Sequence, residues 1–124
     1  MLIADAIRGA DALRESDIPD ELKLQWLSEL DGQIWEDVVS HYEGGAPTRP
    51  QYGEDTDTEA VELLIQPPHN GIYIDYLVMR IDLANGDLER YNIGAAGFEQ
   101  RYQRWANAYN RSHRWKQPLG GLRF

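Results

Sequence analysis

The sequence predicts an all-α fold, a small helical bundle, and three observations point to it. Apolar residues recur at helical spacing in two segments of the first half, and a third segment, Ile72 to Ala84, is apolar on almost every side. The second half carries an aromatic ladder, Tyr91, Ala95, Phe98, Tyr102, Trp105 and Tyr109, stepping alternately by four and three residues. A chain of 124 residues is large enough for one core and too small for two, so residues 1–124 read as a single domain.

Leu2, Ile3, Ala6, Ile7, Ala10 and Leu13 mark a first amphipathic helix over about residues 2–14. Ser16-Asp17-Ile18-Pro19 interrupts it. Pro19 suits the first turn of a second helix, where its missing amide costs nothing, and Asp20 and Glu21 sit well at that positive end. Leu22, Trp26, Leu27, Leu30, Ile34, Val38 and Val39 carry this helix to about Tyr42, and Gly32 inside it implies a close approach or a slight bend. From Glu43 to Glu59 the chain is rich in Gly, Pro and acids and reads as a long, exposed, flexible loop, either a mobile linker or a segment ordered by a partner. Glu62 to Ile65 is apolar but too short to assign to strand or helix.

His69-Asn70-Gly71 provides a start for the Ile72–Ala84 helix, which its composition places at the centre of the domain. Asn85-Gly86-Asp87 then combines a C-terminal glycine with an N-cap acid, the punctuation of an αα-hairpin. The long C-terminal helix covers roughly residues 88–113. Gly94 and Gly97 in it permit close approach of a neighbouring backbone, at a cost in helicity. Residues 115–124 read as an irregular tail.

Composition excludes several functions. Without cysteine there is no disulfide scaffold, thiolate metal site or cysteine nucleophile. No secretory leader or membrane-spanning run is evident, which predicts a soluble intracellular protein with no membrane partner. His41, His69 and His113 lie far apart in metal-free spacing, and the Asp55/Asp57 region lacks the glycine and terminal acid of a calcium loop. No nucleophile elbow, phosphate loop or dinucleotide fingerprint is present. Carboxylates such as Asp31 and Glu36 read as solvated acids. The expectation is a protein with no catalytic residues, no cofactor and no metal.

Charge is distributed unevenly. Residues 1–62 carry four bases against sixteen acids, a net −12, and residues 63–124 carry eight bases against five acids, a net +3, within an overall −9. Arg101, Arg104 and Arg111 run beside the aromatic ladder, and Arg114, Trp115 and Lys116 follow it. These six residues form the candidate interface with another subunit or partner.

The motifs Trp26-Leu27-Ser28-Glu29-Leu30-Asp31-Gly32, Glu62-Leu63-Leu64-Ile65-Gln66-Pro67-Pro68, Ile72-Tyr73-Ile74-Asp75-Tyr76-Leu77 and Ala84-Asn85-Gly86-Asp87 through Tyr91-Asn92 together resemble the small helical head–tail connector, or adaptor, proteins of tailed bacteriophages and prophages. The resemblance runs in order over about residues 3–114. It implies a homo-oligomeric ring mounted on the portal protein, receiving a tail-completion or stopper protein, with DNA passing through it without sequence recognition. It also implies a location in the bacterial cytoplasm during assembly and at the head–tail junction of the virion afterwards. Gly94, Gly97 and the Gly/Pro tail depart from the pattern. Two other classes fit the residues: an acidic interaction or inhibitor protein that mimics DNA, and a nucleic-acid-binding module using the basic-aromatic C-terminal helix.

Overall fold

A computed structural model of the chain describes residues 1–116; the expected irregular tail falls outside the described residues from 117 onward. Four α-helices follow in the order α1 (Ile3–Leu13), α2 (Asp20–Asp37), α3 (Ile72–Ala84) and α4 (Leu88–Ser112), with a 3-10 turn (Val39–His41) after α2. The described residues contain no strand, only two isolated bridges, Leu2 with Glu62 and Tyr42 with Trp115. The fold is an all-helical bundle.

α3 is the central element, packing against α1, α2 and α4. Its Ile72, Tyr73, Leu77 and Ile81 are almost fully buried and join Ile3, Ala6, Leu27, Ile34 and Trp105 in one core. Full burial of each such aliphatic side chain contributes about 1.5–3 kcal/mol. The three charged residues that interrupt α3 all find partners. Asp82 accepts from Arg14 Nε at 2.7 Å, Arg80 lies 4.8 Å above the Trp26 ring, and Asp75 pairs with Arg101 at 2.7 Å.

The α3–α4 hairpin turns on Gly86, whose φ of +79° favours glycine, and Asp87 caps α4 by accepting from the Arg90 amide. α2 ends earlier than its apolar pattern suggests. Val38 leaves helical geometry, and the next three residues tighten into the 3-10 turn, so Val38 and Val39 pack on the core from outside the α-helix.

The connection from 43 to 71 contains no helix or strand, yet several of its groups are bonded to the helices. α1 has no side-chain cap; its first amides donate instead to Val61 O at 3.1 Å (from Ile3) and Thr58 O at 2.9 Å (from Ala4). Trp35 Nε1 donates to Ala46 O, Arg49 pairs with Glu36, and the Arg49 guanidinium lies where a side chain at Gly32 would be. Most side chains over 43–59 are exposed. Tyr52 is buried.

Candidate interaction surface

The 25 residues of α4 extend about 37 Å at 1.5 Å per residue. Its aromatic ladder forms the inner edge, but only Trp105 is fully buried; Phe98, Tyr102 and Tyr109 are half-buried and stack in sequence, with neighbouring centroids 5.3–6.1 Å apart. The reason is geometric. α3 covers one side of α4 and the connection reaches Trp105 and Tyr109, whereas no Cα of α2 comes within 8 Å of one in α4, so the Phe98–Tyr102 part of the ladder is open on the α2 side.

The outward side of α4 has a different character. At about 100° per residue, Ile93, Gly97, Arg104 and Arg111 fall within about 40° of one another. Ile93 is 69% exposed, Arg104 and Arg111 are exposed, and a β-carbon added at Gly97 would meet nothing within 4 Å among the described residues. A mid-helix glycine costs about 1 kcal/mol relative to alanine. At Gly97 nothing among the described residues requires it, unlike Gly94, which faces Met79 on α3.

The six sequence-predicted interface residues divide into two groups. Arg101 and Arg104 line one polar cleft of about 270 Å³ with Pro68, His69 and Gly71, and Arg101 is held there by Asp75. Burial of the Asp75 carboxyl pushes its pKa up, against the pull of the Arg101 charge. Arg104 and Arg111 make no ion pair among the described residues. Arg114, Trp115 and Lys116 belong to a separate strip beyond the helix. The Arg114 carbonyl accepts from the Glu43 amide and the Lys116 amide donates to His41 O, while the Trp115 ring stacks on His41 at 5.3 Å and meets Tyr42 edge-on. That strip ties the end of the chain to the 3-10 turn, with the Trp115 side chain still 54% exposed.

A polar centre escaped the sequence reading, and it corrects the assignment of Asp31 as a solvated acid. Asp31 is fully buried. Its carboxylate accepts from the Tyr52 hydroxyl at 2.5 Å, the Tyr73 hydroxyl at 2.6 Å and the Leu64 amide at 3.0 Å. The Tyr73 oxygen in turn accepts from the Ile65 amide at 2.8 Å. Burial raises the Asp31 pKa, opposed by these donors, and burial beside Asp31 raises both tyrosines. A carboxylate closed off by its own donors cannot reach a substrate. It joins α2, α3 and the long connection at one point, which assigns it to folding.

Among the described residues no three His, Asp or Glu side chains come together as a metal-binding group, and no helix is long and apolar enough to cross a membrane. Comparison of the chain with protein-family models, with curated proteins and with solved structures finds no match.

Proposed function

We propose that this chain is a structural adaptor that associates with copies of itself into a closed ring, acting as a head–tail connector of a tailed phage or prophage. The observation that carries the reading is the outward flank of α4, where an exposed isoleucine, a glycine with open space around it and two arginines with no ion pair among the described residues share one line on a chain whose other half is strongly acidic. Unlike surfaces on one molecule favour head-to-tail contacts, which close into a ring when the rotation permits. The ordered resemblance over residues 3–114 supplies the connector context, in which the portal protein and a tail-completion or stopper protein are the partners and no catalytic step is needed.

The test is native mass across concentration and salt, with electron microscopy of the larger species. The expected result is a ring whose stability falls with salt, since exposed charge pairs are screened over about 8 Å at physiological ionic strength. A monomer at every concentration contradicts the reading. So does the chain's absence from the vertex of DNA-filled particles made by a phage that encodes it.

A further inference from the structure

The space that α2 leaves beside α4 is a second surface, and its chemistry differs from that of the arginine flank. It forms a cleft of about 410 Å³. Its floor is aromatic, built from the half-buried rings of Tyr76, Phe98 and Tyr102, with Tyr76 and Phe98 centroids 5.2 Å apart. Its rim is acidic, with exposed Glu29 and Asp37 on α2 and exposed Glu99 on α4. Among the described residues Arg80 is the one base lining the cleft, and it is already engaged, donating to the Tyr76 hydroxyl at 2.9 Å and lying over Trp26. The rim therefore keeps an excess of negative charge, and burial together with Asp37 and Glu99 raises the Tyr102 pKa.

The helical period fixes where this cleft lies relative to the arginine flank. Tyr102 and Glu99 are each about 140–160° around α4 from the line through Gly97 and Arg104, with the buried Trp105 edge between that line and Tyr102. One molecule thus presents an acid-rimmed aromatic cleft on one side of α4 and a basic, close-approach ridge on the other. Such surfaces cannot satisfy each other within a subunit.

We propose that the cleft between α2 and α4 receives the α4 ridge of a second copy of this chain, with Ile93 and Gly97 against Tyr76, Phe98 and Tyr102, and Arg104 and Arg111 against Glu29, Asp37 and Glu99. The inference rests on the adaptor reading and names the receiving surface. The partner is settled by charge complementarity and by steric fit: the cleft calls for an apolar segment flanked by bases, and the Gly97 ridge offers one with no side chain at its crest. Because donor and acceptor surfaces are distinct, each bound copy leaves another cleft free, the head-to-tail geometry that closes into a ring when the rotation between copies permits.

Reciprocal charge reversal tests the contact by sedimentation of the full chain, with circular dichroism confirming helicity. Arg104→Glu with Arg111→Glu reverses the ridge, and Asp37→Lys with Glu99→Lys reverses the rim. Each double variant alone should weaken association about tenfold or more, because like charges then face each other. An equimolar mixture should restore assembly, since every contact in an alternating ring is again between opposite charges. Gly97→Trp, whose β-carbon meets nothing within 4 Å among the described residues, should block assembly both alone and in the mixture, with circular dichroism and monomer unfolding checking that the subunit still folds. If the rim variant assembles as well as the wild type, the cleft is not the receiving surface, while the adaptor reading stands. If the wild type never assembles, both fail. Failure of the mixture to recover although both variants are folded also overturns the proposed contact.

Discussion

The Asp31 centre and the outward flank of α4 both break the ordinary rules of residue placement, and they differ in whether the subunit itself compensates. An acid buried without partners is costly, but Asp31 has three donors, drawn from the connection and from α3. On the flank, an exposed isoleucine, a mid-helix glycine and two arginines have no ion pair or close contact to compensate them among the described residues. The comparison separates a departure that serves folding from one directed outward. Removing the first should destabilise the monomer; removing the second should leave the monomer intact and affect only what it binds.

The largest expected effect is at the centre. Asp31→Ala leaves two buried tyrosine hydroxyls and the part-buried Leu64 amide without an acceptor, at about 1–3 kcal/mol each for a buried group, so denaturant unfolding should show a loss of about 3 kcal/mol or more. The same change should open residues 43–59 to limited proteolysis, because Tyr52 loses the bond that holds it. A loss below about 1 kcal/mol would mean that the centre does not organise the fold.

A subtler test uses Asp31→Asn. The Asp31 pKa is raised in the folded state, so its linkage contribution to stability is fully present below the ordinary carboxylate range and is lost as pH rises through the folded value. The stability difference between wild type and Asp31→Asn should therefore be greatest in acid and shrink as pH rises through that window. A difference that grows with pH would mean that the three donors outweigh burial.

Gly97→Ala sharpens the contrast by having opposite effects on the two properties. A β-carbon there meets nothing within 4 Å, so the monomer should gain about 0.5–1 kcal/mol in unfolding experiments. Association should weaken. A less stable monomer would reveal an internal role for this glycine.

Much of the frame was legible because it depends on local chemistry. Pro19 stands as the N-cap residue of α2, Gly86 and Asp87 form the hairpin turn, and the Ile72–Ala84 helix is central. Asp31 was not legible. Read locally it is an acid between Leu30 and Gly32, and its tyrosine donors lie 21 and 42 residues away, where only the tertiary fold brings them. The end of α2 at Asp37 was missed because Val38 and Val39 continue the apolar pattern after the backbone has left the α-helix. On α4 the ladder and the arginines could be read from periodicity, but the cleft beside Tyr102 depends on the distance between α2 and α4, and the open space around Gly97 on which side of α4 its neighbours leave uncovered. The partner of Arg101 was hidden in the same way, since Asp75 reaches it across the hairpin.

The central claim is that the outward flank of α4 serves association and contributes nothing to the subunit's own fold. The most direct measurement is a paired one on Arg104→Glu with Arg111→Glu: unfolding free energy at a concentration where the protein is monomeric, and sedimentation of the same preparation at high concentration. The account predicts a monomer stability within about 0.5 kcal/mol of the wild type together with loss of the assembled species. A destabilised monomer that still assembles like the wild type would contradict it.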